Sequence, residues 1–368
     1  MRASIAESEV AMKTGQQISR REFVGAGVAA TGVVALGMTP EAHAAGESRI
    51  LSFNPQMEYR RLGKTGLMVS AVGLGGHWKR VQTVVGGGPR YTIDSPDFMK
   101  SRAEVIDRCM AVGINHLDTV DNEEVRVYAK VLKGDRRKNM YFGYGWQQKE
   151  VRFPPFQRAK ALMKGLDENL QETGLEYIDW WRLTSYENGA DHTFHDSEEI
   201  VAALDQAKRQ GKARFTGVTS HDHAWLKMMI EQFPAQMDVV LFPYTSDSKV
   251  LPQDSLFDTL RKYDVGMLGI KPFASNSLFK GDGSLSSPHA EEDSQLARMA
   301  IRYILRNPAV TAPIPGLINV AQVDNMAKAV KERRELDMKE SAGLRQANQE
   351  MWARLPENYQ WLKKWEYV

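Results

Sequence analysis

The sequence predicts an α/β protein with a (β/α)8 barrel, or TIM barrel, followed by a C-terminal helical and aromatic extension. From Met57 onward, short apolar runs alternate with longer amphipathic stretches. Eight such strand–helix units over roughly 270 residues is the number that closes a barrel of this kind. A doubly wound sheet is disfavoured, because no Gly-x-Gly-x-x-Gly follows an early strand.

Each apolar run that is too short for a helix is interpreted as a barrel strand, and each stretch with helical spacing as the helix that follows it. Leu162, Leu166 and Leu170, for example, share one helix face. The strands are predicted at Val69–Leu74, Ile114–Asp118, Met140–Tyr144, Tyr177–Leu183, Ala213–Thr219, Met237–Phe242, Gly266–Ile270 and Thr311–Ile314. The helices include Arg102–Val112, Phe156–Glu172, Ser197–Gln210, Leu256–Tyr263 and Gln295–Arg306. Gly86-Gly87-Gly88-Pro89 is interpreted as a flexible insert after the first strand.

The N-terminus carries the pattern of an export signal. Ser19-Arg20-Arg21-Glu22-Phe23 precedes an apolar Gly/Ala-rich run, and Ala42-His43-Ala44 forms a small-x-small cleavage pattern. This order is typical of a twin-arginine signal peptide, although an uncleaved anchor helix is the alternative. We therefore predict a signal over residues 1–44, a linker over 45–56, the barrel over 57–334 and the extension over 335–368. The expected location is the periplasm or the cell exterior.

Charge and cysteine content exclude several classes of protein. Lys and Arg number 48 and Asp and Glu 46, so the formal net charge of +2 gives no reason to expect nucleic-acid or membrane-surface binding. Cys109 is the only cysteine, which excludes an intramolecular disulfide and an iron–sulfur cluster. The expected ligand is a small-molecule substrate, with no membrane association after signal removal.

Four segments in order resemble the aldo-keto reductases. They are Tyr59–Gly76, which resembles the opening hairpin and first strand of that family, Gly113–Thr119, Gly211–Ser220 and Ala312–Leu317. The resemblance covers Met57 to about Val330 and implies a TIM barrel that transfers hydride between a nicotinamide cofactor, NADP or NAD, and a carbonyl or alcohol. In that family a tyrosine, a lysine, an aspartate and a histidine meet at the substrate carbonyl.

Only one of these four groups is retained at the matching positions. Asp118 is the aspartate, whereas Glu123 stands at the tyrosine position, Gly145 at that of the lysine and Thr184 at that of the histidine. Asp118 is therefore expected to lack a cationic partner. Because an acid–base group typically contributes about 10²–10⁴-fold, reduction of ordinary aldehydes is expected to be very weak. The pair Glu123→Tyr and Gly145→Lys is the substitution that the resemblance suggests for restoring activity.

The resemblance also implies a cofactor site. Thr219 and Ser220 stand where the family often has residues against the carboxamide, and Lys271 ends the seventh strand. The eighth-strand loop, which in the family holds the adenosine end, contains Gly316 and Leu317. Further candidates are Gln322 and Asn325. These residues could equally be ordinary loop and capping positions.

Substitute catalytic groups are expected at the other strand ends, where barrel active sites are built. Tyr144 and His221 are the candidates for a replacement acid, beside Asp118 and Glu123. The polar residues at these strand ends also include His77, Asp121, Glu124, Tyr186, Asp191, His192, His195, Asp196, Asp222 and His223. A metal site built from histidines and carboxylates is an alternative, but His-x-His is a weak metal pattern.

Three functions remain open from the sequence. The first is an exported oxidoreductase of the aldo-keto reductase type, acting on a carbonyl or alcohol that is sugar-like. The second is a non-catalytic barrel, a pseudoenzyme that serves as a scaffold subunit and binds a protein partner through the aromatic tail that contains Trp361 and Trp365. The third is a metal-assisted lyase or isomerase.

Overall fold

Eight parallel strands follow one another around a barrel in the order in which they occur in the chain. They are β3 (Leu74–Gly75), β4 (His116–Asp118), β5 (Tyr141–Tyr144), β6 (Ile178–Thr184), β7 (Ala213–Thr219), β8 (Val239–Pro243), β9 (Gly266–Ile270) and β10 (Ala312–Pro313). The first and last strands meet through hydrogen bonds from Gly73 N to Pro313 O (3.0 Å) and from Gly75 N to Pro315 O (2.8 Å). The predicted (β/α)8 barrel is confirmed.

The structure is a computed structural model that describes residues 50–78, 81–85, 93–185, 191–365 and 367–368. The predicted signal segment 1–44, the Gly86–Pro89 insert and Tyr186 lie outside the described residues. Of the predicted linker 45–56, residues 50–56 are described, and Ser52 Oγ donates to Asn139 O (2.8 Å). In the described ranges, no helix is long and apolar enough to span a bilayer.

Helices connect successive strands and cover the outside of the barrel. Those described are α1 (Gln82–Val85), α2 (Pro96–Val112), α3 (Asn122–Val131), α4 (Asp135–Lys138), α5 (Ala159–Thr173), α6 (Phe194–Arg209), α7 (His223–Gln232), α8 (Leu256–Tyr263), α9 (Ala290–Leu305), α10 (Val320–Lys331) and α11 (Met338–Ala353). Several begin at a side chain that caps the free backbone N–H groups, as Ser95 caps α2, Asp121 caps α3 and Asn319 caps α10.

An N-terminal hairpin contributes to the interior of the barrel at the end away from the strand C-termini. Its strands β1 (Tyr59–Arg61) and β2 (Met68–Ser70) are antiparallel. Leu62 and Leu67 of the turn join the buried barrel interior, and Leu62 packs against Gly266, the first residue of β9. A separate, larger apolar core lies between the strands and the helices.

Side-chain alternation in β5 and β6 decides which residues reach the interior. Successive strand residues point to opposite faces. In the register Asp118–Gly143–Trp180, neighbouring strands place one carboxylate, one glycine and one indole in the same row. Trp180 belongs to the interior core, whereas Trp181 belongs to the core beneath the helices. Arg182 therefore points inward, as Trp180 does.

The extension after residue 334 packs back on its own barrel. Trp352 of α11 donates from Nε1 to Asp247 Oδ2 (2.6 Å), in the loop after β8. A 3₁₀ segment over Glu357–Trp365 follows α11. Val368 is buried and pairs with the same region, donating from N to Lys249 O (2.8 Å) and accepting from Leu251 N (2.9 Å). The extension thereby brings Trp361 to the mouth of the barrel.

Candidate active site

A cavity of about 310 Å³ opens where the barrel strands end. Its wall includes the C-terminal ends or following residues of most barrel strands, among them Gly75, Asp118, Thr184, Thr219, Ile270 and Ile314. Four of its residues, His77, Lys271, Ser275 and Asn276, have a positive φ between 53° and 71°. Non-glycine residues in this strained region concentrate at functional sites, so the cavity is the candidate active site.

Asp118 is paired with a buried cation, Arg182. The guanidinium donates from Nη2 and Nε to Asp118 Oδ1 (2.6 and 3.1 Å), and Trp180 Nε1 donates to Oδ2 (3.0 Å). Both charged side chains are almost fully buried, with 2% and 3% exposure. The expectation that Asp118 lacks a cation is therefore wrong, because the cation comes from β6.

Gly145 makes room for this guanidinium. A Cβ atom at residue 145 would lie 2.4 Å from Arg182 Nη1 and 2.7 Å from Cζ. Arg182 thus occupies the space beside Asp118 that a longer residue at position 145 would need. The suggested change Gly145→Lys is incompatible with Arg182 in its present place, for steric reasons alone.

Arg182 lies among more carboxyl groups than it can neutralise. Burial lowers the pKa of Arg182, but the negative charges of Asp118, Glu150 and Glu124 raise it, and the pKa is raised overall. Glu150 accepts hydrogen bonds from Trp146 N (2.8 Å) and Thr184 N (2.7 Å), and burial raises its pKa. One guanidinium facing three buried carboxyl groups favours retention of a proton on one of them.

Glu124 is the carboxyl group best placed to hold that proton near neutral pH. Burial raises its pKa to about 7, although the hydrogen bonds that its carboxylate accepts from the backbone N–H groups of His77 and Val120 lower it. His77 Nδ1 lies 3.4 Å from Glu124 Oε1 and 3.8 Å from Asp121 Oδ2. Burial and the Glu124 charge raise the pKa of Asp121 to about 6. His77 lines the cavity, so it links this acidic pair to the cavity interior.

The raised pKa of Glu124 gives a testable dependence of stability on pH. Because the folded state favours the protonated group, its stabilising contribution is complete below about pH 4.5 and is lost as the pH rises through about 7. In the wild type, the free energy of unfolding should fall by on the order of 3 kcal/mol across this window, and Glu124→Gln should abolish that fall. Urea unfolding at several pH values measures it. The control Glu123→Gln, at the exposed neighbour, should keep the wild-type slope, and parallel profiles for all three proteins would contradict the assignment.

Two sequence-predicted catalytic residues do not reach the cavity. Glu123 is exposed on α3, since it is the adjacent Glu124 that faces inward. Tyr144 points away from the interior, because Gly143 and Gly145 occupy the inward positions of this strand segment. Its hydroxyl accepts a hydrogen bond from Asn169 Nδ2 of α5, and burial raises its pKa well above the usual value. Neither residue can serve as a replacement acid in this arrangement.

His221 does line the cavity, and the C-terminal extension covers it. Its ring stacks on Trp361 with 4.2 Å between centroids and 22° between planes. Burial, together with the nearby charges of Lys271 and Arg152, lowers its pKa far below the usual value. Lys271 Nζ lies 5.5 Å from the Trp361 ring. His221 is therefore a neutral imidazole, able to donate or accept a hydrogen bond but not to supply a proton as an imidazolium.

Thr219 and Ser220 are placed differently from one another. Thr219 lines the cavity and donates from Oγ1 to Leu241 O (3.0 Å). Ser220 is buried and its Oγ accepts from Asp222 N (3.0 Å), within the turn that starts α7. The structure brings Thr219 and Lys271 to the cavity, whereas Ser220 is used in local structure.

A second pocket of about 110 Å³ adjoins the cavity and shares Phe273, Asn276 and Gly316 with it. The predicted residues Leu317, Gln322 and Asn325 line it. The Gln322 side chain accepts from Ile318 N (3.0 Å). Asn325 donates to Ser294 O (3.0 Å) and accepts from Arg298 Nη1 (2.6 Å). The four predicted residues of this loop and helix are thus brought together along one groove.

Sequence reasoning missed Arg182, Arg152 and Trp361, all of which line the cavity. Arg182 had a usable signal, because an arginine inside an apolar strand requires a buried acidic partner. The two glycines at positions 143 and 145 of the preceding strand indicated where the space for it lies. Trp361 had no such signal, since its place depends on the path of the extension.

Comparison with known proteins agrees with this architecture. The model of the Aldo/keto reductase family matches residues 87–349. L-galactose dehydrogenase from Arabidopsis thaliana is 24% identical over 310 residues, covering 77% of this chain and 91% of that protein. L-glyceraldehyde 3-phosphate reductase from Escherichia coli is 22% identical over 336 residues, covering 77% and 92%.

A solved structure shares the fold at low sequence identity. The holo form of aldo-keto reductase AKR11C1 from Bacillus halodurans superposes with a TM-score of 0.56 at 20% identity, covering 79% of this chain and 96% of that one. Because the family model matches most of the chain, this protein belongs to the aldo/keto reductase family.

Proposed function

We propose that this protein is an exported, nicotinamide-dependent oxidoreductase in which Arg182 and the pair His77–Glu124 take the place of the missing lysine and tyrosine. The observation that carries the proposal is the buried Asp118–Arg182 pair at the wall of a cavity that also contains His77 and His221. A reductase needs positive charge and a proton donor beside a carbonyl, because negative charge develops on its oxygen.

The groove formed by the cavity and its neighbour suits a dinucleotide. The first turn of α10 contributes Ala321 and Gln322 to the second pocket, and a helix N-terminus attracts phosphate groups. Buried Arg102 donates from Nη1 to Leu317 O (2.9 Å) and from Nη2 to Ile318 O, beneath the loop that borders this pocket. Thr219, Lys271 and Gly316 would hold the other end. A dihydronicotinamide, when bound, supplies the hydride for a carbonyl carbon.

Side chains of the protein would supply the proton to the carbonyl oxygen and stabilise the negative charge that develops on it. In the proposed arrangement, His77 donates the proton on Nε2 to the carbonyl oxygen and is reprotonated at Nδ1 by Glu124. The pKa of Glu124 of about 7 suits this task near neutral pH. Neutral His221 would orient the carbonyl, and the charge of Arg182 would stabilise the alkoxide. Arg152 and Lys271 favour a hydroxylated or anionic substrate.

The full chain provides the test. Purified protein is assayed for retained nucleotide and titrated with NADH and NADPH. It is then tested for reduction of L-glyceraldehyde 3-phosphate and oxidation of L-galactose, the compounds named in two relatives. We expect bound or retained nucleotide and a turnover that His77→Gln lowers by about 10²-fold or more. The control His195→Gln changes an exposed histidine on α6 and should have no effect.

The outcomes separate the parts of the proposal. Absence of both retained nucleotide and binding would overturn the oxidoreductase function. Turnover that is unchanged in His77→Gln would overturn only the proton donor. Export is supported by the arginine pair and the cleavage pattern of the N-terminus, and it would require the cofactor to be loaded before translocation, since no cofactor pool is expected outside the cell.

A metal-assisted reaction is the second candidate, and one observation favours it. Ligand atoms of His77, Asp121 and Glu124 lie within 4.8 Å of one another. One imidazole and two carboxylates form a ligand set that zinc accepts, with a position left for water. Stoichiometric metal in the purified protein, with no nucleotide binding, would favour this function over hydride transfer.

A further inference from the structure

The polar lining of the second pocket determines which form of the dinucleotide fits, if the proposed function is correct. A hydride donor must place its nicotinamide in the cavity with Asp118 and Arg182. The rest of the dinucleotide must then leave past Phe273, Asn276 and Gly316, which both pockets share. Its adenosine end therefore lies in the second pocket.

The only charged side chain among the described residues that line this pocket is Asp293, a carboxylate. Its oxygens accept hydrogen bonds from Lys280 N (2.9 Å) and Gly281 N (2.8 Å), which hold it at the pocket wall. A carboxylate suits a ribose 2′-hydroxyl, which can donate a hydrogen bond, and repels a 2′-phosphate, which needs an arginine or lysine.

The cationic side chains near the second pocket are paired with other groups. Lys280 Nζ pairs with Glu292 (2.7 Å), and Arg298 pairs with Glu332 (3.1 Å) while donating to Asn325. Arg102 is fully buried beneath the loop, and both of its Nη atoms bond to backbone carbonyl groups. None of the three lines the pocket, so none is placed to contact a 2′-phosphate.

We infer that this protein selects NAD(H) over NADP(H), and that Asp293 is the residue that excludes the 2′-phosphate. Titration of the full chain, freed of retained nucleotide, should give an affinity for NADH at least about tenfold above that for NADPH, the effect of one unfavourable charged contact. Equal or tighter binding of NADPH would overturn the inference. Binding of neither would overturn the proposed function itself.

Two variants test the charge directly. Asp293→Asn should raise NADPH affinity several-fold, while Glu291→Gln, which removes the same charge at an exposed position of α9 outside the pocket, should leave the NADH-to-NADPH ratio unchanged. Ala321→Arg adds a guanidinium in the first turn of α10, at an exposed lining position where no side-chain hydrogen bond is lost. It should raise NADPH affinity about tenfold.

The control for this gain is Ala342→Arg, the same change at an exposed position of α11 outside the pocket. If Ala321→Arg and Ala342→Arg raise NADPH affinity equally, the effect is one of net charge, and the second pocket does not hold the adenosine end. If neither Asp293→Asn nor Ala321→Arg changes the ratio, the inference fails even when both variants remain folded.

Discussion

Arg182→Met is expected to lower the free energy of unfolding by about 3–5 kcal/mol, the usual consequence of removing one partner of a buried ion pair. Among the described residues, Asp118 would keep only the Trp180 indole as a donor (3.0 Å). Glu124 and Glu150 would lose the positive charge that they share with Asp118. Urea unfolding at neutral pH measures the loss.

The matched control for this prediction is Arg214→Met on the next strand. Arg214 Nη1 pairs with Asp179 Oδ1 (2.6 Å), but its side chain is 43% exposed and Asp179 also pairs with Arg137 (2.8 Å). We expect this control to lose no more than about 1 kcal/mol. The deficit of Arg182→Met should also shrink as the pH falls, because Glu124, whose pKa burial raises to about 7, is then protonated and has less need of the cation. An equal deficit at acidic and neutral pH would indicate lost packing instead of an unpaired charge.

Trp361→Ala is expected to produce the second large effect, on the imidazole of His221. The indole covers this ring at 4.2 Å and contributes to the burial that depresses its pKa. Without the indole, water reaches the ring, so the pKa should rise by more than about one unit toward the ordinary value of about 6.5. Lys271 and Arg152 would still hold it below that value.

Proton NMR titration of the histidine resonances, assigned with a His221→Gln variant, measures this shift. Trp352→Ala is the control, because Trp352 lies on the same extension but bonds to Asp247. Any enzymatic activity should fall in Trp361→Ala and persist in Trp352→Ala, since only Trp361 lines the cavity. A His221 pKa that does not move in Trp361→Ala would show that the strands and cations alone set it.

The barrel could be predicted because its cause is local. Apolar runs of strand length and helical spacing recur along the chain, and the strands Ala213–Thr219 and Gly266–Ile270 have the predicted bounds. The site depended on two longer-range effects. Strand alternation turns Tyr144 toward the helices, and register places Arg182 beside Asp118, 64 residues away in sequence. Matching to family positions selected Glu123, whereas the pitch of α3 turns its neighbour Glu124 inward.

The close approach of residue 145 to Arg182 has a consequence for which substitutions this site can accept. A lysine at position 145 would force the Arg182 guanidinium out of its place beside Asp118, since even its Cβ would lie 2.4 Å from Nη1. Arg182 cannot be lost first without leaving buried carboxylates unpaired. The two arrangements of the cation are thus separated by intermediates that are either overcrowded or short of positive charge. The site therefore resists conversion to a lysine at position 145 by one substitution at a time.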